Sequence, residues 1–212
     1  MPDVPSPIDL RSMEDAREWA QAAMAKRPWR KHVFDTIVGQ LPIGKIQVLD
    51  IGSGPGFLAE RILQARPDLQ YVALDFSSAM HTLAKERLGD EVRRVQFIER
   101  DFRYDGWTLN LPRFDFVVTV QAVHELRHKK HAPNFYQVVC DTLLGDGVFL
   151  MCDHFAGDGG MSDTELFMTP EEQADALKAG GFANPVVVLR LGGLILFRAL
   201  ANKAPCVSAS LG

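Results

Sequence analysis

An apolar run, Val48-Leu49-Asp50-Ile51, passes directly into Gly52-Ser53-Gly54-Pro55-Gly56, and an amphipathic stretch begins at Phe57. A β-branched run that stops in glycines and restarts at helical period is a strand turning sharply into a helix. Glycines at such a turn let the backbone bend tightly and let a ligand approach without meeting a Cβ. In open α/β sheets this is also where ligands bind, beyond the carboxyl ends of the strands. The chain ahead repeats the pattern. Candidate strands at residues 46–51, 70–75, 95–99, 114–120 and 147–153 alternate with helical stretches at 57–65, 77–88 and 133–144. Each helical stretch is long enough to cross back over a sheet, so a doubly wound α/β core with parallel strands is expected.

Both ends depart from this alternation. Residues 1–10 are rich in proline, after which Ser12 is placed to cap a helix carrying Glu14 and Asp15 in its first turn and running through Trp19 and Met24. Pro28 interrupts it, and a second helix over about 29–40 sets Val33, Phe34, Ile37 and Val38 on one face. Residues 1–44 therefore read as a helical extension or lid ahead of a core at 45–200. At the far end, Thr169 and Pro170 start one more helix over 170–180, followed by strands at 185–190 and 194–200 joined by Leu191-Gly192-Gly193. Successive strands joined by so tight a glycine turn must be antiparallel. Residues 201–212 read as a tail without periodicity.

Charge and cysteine usage narrow the partners. Against 23 Lys and Arg stand 27 Asp and Glu, a net charge of -4 without the basic footprint that a phosphate backbone requires, so no nucleic-acid partner is expected. Cys140, Cys152 and Cys206 lack C-x-x-C spacing, and the first two sit in apolar runs, as buried thiols of a reducing compartment do. No apolar run approaches the roughly 18 residues of a membrane span, and the start of the chain has neither a basic region nor an apolar one, so no membrane partner and a cytoplasmic location are expected.

Two acids stand where a nucleoside would need them. The loop spacing is G-x-G-x-G, and Phe57 occupies the position where a dinucleotide fingerprint wants its third glycine. Asp75 ends the second candidate strand roughly 20 residues past the glycines, where an acid can accept hydrogen bonds from ribose hydroxyls. Asp101 follows the third and precedes Phe102, a carboxylate beside a ring that suits an exocyclic amine and a purine face. Read alone, Asp75 has a second role open to it as a cap before Ser77-Ser78, and Asp101 as a cap of its own loop.

The glycine loop, Asp75, Asp101-Phe102, the Phe114-Asp115 strand, the Leu143-Leu144-Gly145-Asp146-Gly147 turn and the closing antiparallel pair together resemble the class I S-adenosylmethionine-dependent methyltransferase superfamily, of small-molecule type. The likeness runs over about residues 45–200. It implies a Rossmann-like seven-stranded sheet, mostly parallel with an antiparallel C-terminal strand, and S-adenosyl-L-methionine lying across the strand ends. It further implies that Asp50, Gly52, Ser53, Gly54 and Gly56 shape the methionine side of the pocket and that Gln121 faces the same moiety. Asp75, with Phe76 beside it, would hold the ribose, and Asp101 with Phe102 the adenine.

Displacement of a methyl group from a sulfonium is an in-line reaction in which the protein supplies proximity and orientation, and a base is needed only where the nucleophile carries a proton. The best-placed base is His124 in Val120-Gln121-Ala122-Val123-His124-Glu125, with Glu125 to orient it or to pair with a cationic acceptor. A structural role for His124 stays open beside this one. His154, with Asp153, follows the fifth strand and is a further candidate for the same cleft. His128 and His131 lie in a charged run that reads as a solvated face, Asp115 reads as tightening the start of its strand, and Trp107 reads as packed over the sheet edge. His124, Glu125 and His128 lack the further ligand pattern of a metal site, so no metal is expected.

The position after the fourth strand carries neither N-P-P-Y nor a proline-cysteine nucleophile, which disfavours nucleobase and glutamine acceptors and leaves a small-molecule methyl acceptor as the expected partner. Around Pro28, Arg27 and Arg30 are placed either to clamp a substrate carboxylate or to pair on the surface. The glycine-rich stretch 155–161, leading to Phe167 and Met168, suits a lid over an apolar pocket. The sequence thus leads to methyl transfer to O or N of a small molecule. Its rivals are a cofactor-binding or partner subunit without turnover and a nicotinamide-dependent oxidoreductase.

Overall fold

The computed structural model describes residues 3–6 and 8–202, so Cys206 and all but the first two residues of the expected tail lie outside it. Seven strands form one sheet in the order β3-β2-β1-β4-β5-β7-β6. In chain order they are β1 (Gln47–Ile51), β2 (Gln70–Asp75), β3 (Val95–Glu99), β4 (Phe114–Val120), β5 (Leu143–His154), β6 (Phe182–Leu191) and β7 (Leu194–Ala201). The first five pair in parallel, and β7 runs antiparallel between β5 and β6. The sheet is thus the mostly parallel, doubly wound one expected. Strand order reverses between β1 and β4, the switch point at which such sheets bind ligands.

Period-two alternation sends successive residues of β1 to opposite faces. Leu49 and Ile51 join Val117, Phe149 and Met151 under α5 (Ala132–Thr142) and α6 (Pro170–Ala179). Val48 joins Val118, Leu150 and Leu196 on the other face, under α2 (Arg30–Gln40) and α3 (Phe57–Ala65). The helix expected over residues 29–40 is consequently part of a core layer, because Val33, Phe34, Ile37 and Leu41 are all buried in this second cluster. By contrast, α1 (Met13–Lys26) rests on α4 (Ser78–Leu88) through a small separate cluster of Ala16, Ala79, Met80 and Leu83. Ser12 caps α1 as expected, accepting from the Asp15 amide.

Three boundaries differ from expectation. The helix expected to reach residue 144 stops at Thr142, and β5 starts at once at Leu143, whose partner in β4 is Phe114. β6 starts three residues before Pro185 and holds this proline within it, which an edge strand tolerates because pairing is interrupted between Ala183 and Val186. The expected glycine turn is made by Gly192 and Gly193 alone, both at positive φ, because Leu191 already belongs to β6. A Cβ on Gly192 would stand 2.6 Å from the Trp29 ring, so the hairpin tip is fitted against the start of α2.

Candidate functional site

The glycine loop is shaped by what surrounds it. Gly52, Gly54 and Gly56 all have positive φ, and the Gly52 and Ser53 amides donate to the Leu74 carbonyl at 2.8 and 3.1 Å. A Cβ on Gly52 would lie 2.4 Å from that of Ala122, and one on Gly56 3.1 Å from that of Ala84, whereas one on Gly54 would meet nothing within 4 Å. The loop thus packs tightly at its two ends and faces open space in the middle.

Asp75, buried at the end of β2, accepts from the Gly54 amide at 2.8 Å and from the Ser77 amide at 3.0 Å, one on each oxygen. Burial pushes its carboxyl up to about 6 against the opposing pull of those amides. Asp50 is buried more deeply, where desolvation raises it to about 7 although the Tyr71 hydroxyl donates to it at 2.6 Å. Asp101 is already engaged: Arg103 donates to its two oxygens at 2.9 and 2.6 Å, and Arg11 approaches at 3.5 Å. Partial burial raises the Asp101 carboxyl and the Arg103 hydrogen bonds outweigh it, for a net lowering. The Arg11 guanidinium also lies 4.6 Å from the centre of the Phe76 ring. Beside Phe102 a cavity of about 510 Å³ opens, lined also by Arg103, Trp107, Arg127 and Phe135.

At the ends of β4 and β5 the chain gathers the residues that carry acid–base character. Gln121 follows β4 at φ 56, an uncommon conformation for a side-chain-bearing residue and one that collects at functional positions. Its side-chain nitrogen lies 2.7 Å from His154 Nε2, and its oxygen accepts from Arg30 Nε at 2.6 Å. His124 Nδ1 lies 2.8 Å from Asp153 Oδ1, and the His124 backbone amide donates to Asp153 Oδ2 at 2.9 Å. On the other side of the ring, Nε2 is 3.4 Å from Glu125 Oε1. Burial alone would lower His124, but the Asp153 carboxylate more than compensates and its pKa is raised; the same pairing holds the buried Asp153 low. The Phe167 ring stands 5.8 Å from the His124 ring and 5.7 Å from the His154 ring.

The two histidines differ in state. Since the Gln121 amide donates to His154 Nε2, the His154 proton sits on Nδ1, which has no partner among the described residues; burial pushes this residue down to about 4, so the ring is neutral. His124 is the basic one of the two. The Asp153 contact was foreshadowed in sequence only by proximity to His154, and Phe167 only by its place in a candidate lid. His128, read as part of a solvated face, is in fact buried: Nδ1 accepts from the Lys130 amide and Nε2 pairs with Glu165 at 3.2 Å. Asp115 does tighten the start of β4, accepting from the Gln47 amide at 2.7 Å, and Trp107 is buried against Phe135.

A methyltransferase-domain family model matches residues 48–147, from β1 into β5 and across the glycine loop, Asp75, Asp101 and His124. Over these residues the chain matches the methyltransferase domain of the class I S-adenosylmethionine-dependent superfamily. Within this superfamily it is 29% identical over 162 residues to acetylserotonin O-methyltransferase of Gallus gallus, covering 70% of this chain and 45% of the relative. It is 23% identical over 184 residues to malonyl-[acyl-carrier protein] O-methyltransferase of Legionella pneumophila, covering 83% and 63%. The chain thus spans about half the length of the curated relatives it matches. Human N-acetylserotonin methyltransferase, solved in complex with S-adenosylmethionine, shares the fold at a TM-score of 0.71 and 17% identity, over 92% of this chain and 58% of that one.

S-adenosylmethionine is the cofactor of this superfamily, and the residues present fit it. The Ser53 hydroxyl is buried without a hydrogen-bond partner among the described residues, beside the open space at Gly54. The Asp75 carboxylate accepts the Gly54 and Ser77 amides on its two oxygens, and its remaining acceptor capacity suits a ribose hydroxyl.

Proposed function

We propose that this protein transfers a methyl group from S-adenosylmethionine to an oxygen or nitrogen of a small organic molecule, with His124 taking the acceptor's proton. The observation that carries the reading is the 2.8 Å pairing of His124 with Asp153 at the ends of β4 and β5, on the sheet whose neighbouring strand β1 ends in the glycine loop. When bound, the cofactor supplies a methyl group made electrophilic by a sulfonium, so the chain's task is orientation and, for a protonated acceptor, removal of one proton.

Asp153 fixes the His124 ring through Nδ1 and leaves Nε2 to receive that proton, while Glu125 at 3.4 Å from Nε2 attracts the imidazolium so formed. His154 and Phe167 wall the ring from two sides and limit access by water. Asp50, Gly52, Ser53, Gly54, Gly56 and Gln121 would hold the methionine side, Asp75 and Phe76 the ribose, Asp101 and Phe102 the adenine. The cavity of about 510 Å³ beside Phe102 lies on the adenine side, and neither His124 nor the glycine loop lines it. Two relatives are O-methyltransferases by name, while one similar fold belongs to a carbon methyltransferase; the acceptor atom is therefore read from the base and not from the fold.

The test is calorimetric titration with S-adenosylhomocysteine, with NAD as control, followed by labelled-methyl transfer to a panel of small alcohols, phenols, amines and acids. Thioether binding with transfer to a hydroxyl or amine supports the reading. Thioether binding without turnover across the panel favours a cofactor-holding partner subunit, and binding of NAD alone overturns the cofactor assignment.

A further inference from the structure

Arg30, the first residue of α2, is only 4% exposed, yet no carboxylate among the described residues pairs with it. Its Nε donates to Gln121 Oε1 at 2.6 Å and its guanidinium lies 5.3 Å from the centre of the Trp19 ring, which leaves both Nη groups without a hydrogen-bond partner among the described residues. The comparably buried Arg127 shows how this chain treats an interior guanidinium elsewhere: it donates to the Val4 and Pro5 carbonyls and to Glu125.

A second guanidinium aggravates the imbalance. Arg27, the half-buried C-cap of α1, has no acidic partner among the described residues and stands close enough to Arg30 to depress it further, after burial, to about 10. The groups around the pair supply no negative charge: Gln121 is an amide, His154 is neutral, and burial pushes the nearby Cys152 thiol up so that it keeps its proton. A largely buried cation with neutral neighbours and a like charge beside it favours an anion at its open edge, and the Nη groups of Arg30 are not among the fully buried unpartnered atoms of the described residues, so that edge is reachable. With Nε occupied, the open Nη edge of a guanidinium matches the two oxygens of a carboxylate.

We propose that Arg30, with Arg27 beside it and Gln121 fixing its orientation, is the receptor for a carboxylate of a bound small molecule. The inference rests on the methyltransferase reading above, and the carboxylate has two possible sources: the amino-acid end of the cofactor, or the methyl acceptor. Surface pairing, the other role open to these arginines in sequence, is excluded for Arg30 by its burial and its lack of an acid.

The experiment compares wild type with Arg30→Met and with the milder Arg27→Gln by calorimetry, using S-adenosylhomocysteine and 5′-methylthioadenosine, which keeps the thioether and adenosine but has no carboxylate. A second arm titrates thioether-saturated protein with benzoate and with neutral benzamide. Loss of a charge-assisted hydrogen bond corresponds to about tenfold or more in affinity. If Arg30→Met weakens S-adenosylhomocysteine by that factor and leaves methylthioadenosine unchanged, the carboxylate is the cofactor's; if it spares both thioethers and weakens benzoate alone, it is the acceptor's. Arg27→Gln should give a smaller loss of the same sign. The proposal is overturned if wild type prefers neither carboxylate over its neutral counterpart, if Arg30→Met keeps wild-type affinity for both, or if it weakens the two thioethers equally. Wild type binding neither thioether would instead overturn the cofactor reading, and the benzoate arm on free protein would then decide the carboxylate site by itself.

Discussion

His124 Nδ1 and Asp153 Oδ1 meet at 2.8 Å although they are separated by 29 residues, and the same carboxylate also accepts the His124 backbone amide. One acid thus fixes both the ring and the loop that carries it. His124→Ala should lower methyl transfer to a hydroxyl or amine by about 10²–10⁴-fold, the usual contribution of a positioned base. S-adenosylhomocysteine affinity should be unchanged. Asp153→Asn should lower transfer in the same direction, and full turnover by His124→Ala in a steady-state assay would reduce the histidine to a structural residue.

The pairing also predicts a pH signature. His124 is held above its ordinary 6.5, so its contribution to stability is complete below 6.5 and is lost as pH rises through the raised value. Asp153 is held below its ordinary 3.8, so its contribution is complete above 3.8 and is lost as pH falls through the lowered value. The melting-temperature deficit of Asp153→Asn against wild type should therefore be greatest between about pH 4 and 6.5 and shrink on either side. A deficit constant across pH would contradict the ion pair. Transfer should rise with pH through the raised His124 value.

Asp75→Ala removes both oxygens that the Gly54 and Ser77 amides hold in place. Cofactor affinity should drop by about 1.5–3 kcal/mol, the value of hydrogen bonds to a charged group, read as a Kd increase of about tenfold or more. Unaltered calorimetric affinity in a folded variant would remove Asp75 from the ribose.

Gly52→Ala would put a Cβ 2.4 Å from that of Ala122 on a backbone at φ 70, so both sterics and conformation oppose it. The expected outcome is a lowered melting temperature together with weakened thioether binding. Gly54→Ala, which meets no atom within 4 Å, should cost less stability while still intruding on the ligand.

Ile37→Ala tests whether α2 belongs to the core. Ile37 is fully buried in the cluster that holds Val48 and Leu150, and its truncation should destabilise by about 2–5 kcal/mol in denaturant unfolding. A change below about 0.5 kcal/mol, typical of an exposed site, would restore residues 30–40 to a detachable cover.

What was legible in the sequence is what local chemistry dictates. Strands β2, β3 and β4 and helix α3 fall on the residues their apolar patterns mark, and the glycine loop is legible as a sharp turn because glycines are what positive φ calls for, although the contacts with Ala122 and Ala84 that require them come from elsewhere in the chain. Contacts made across the fold were not legible. Arg30 and Gln121 are 91 positions apart, and nothing in either neighbourhood announces the other. His128 sits among Arg127, Lys129 and Lys130, which argue for solvent, but Glu165 arrives from a distant loop and covers it. The placement of Arg103 against Asp101 was equally hidden, since a two-residue spacing in a loop leaves side-chain direction open.

The order β5-β7-β6 carries a consequence for biosynthesis. β7 is the last of these strands to leave the ribosome, yet it occupies an interior position, so until it emerges one side of β5 displays an unpaired ladder and β6 has no neighbour in the sheet. Strands β1 to β5 can assemble while the nascent chain grows, but β6 must wait for Leu194–Ala201 to join it to the sheet. Premature termination between His154 and Leu194 would leave the backbone groups of Val148–His154, beside the proposed base, open to intermolecular pairing, so such fragments should aggregate and be recognised by chaperones or proteases.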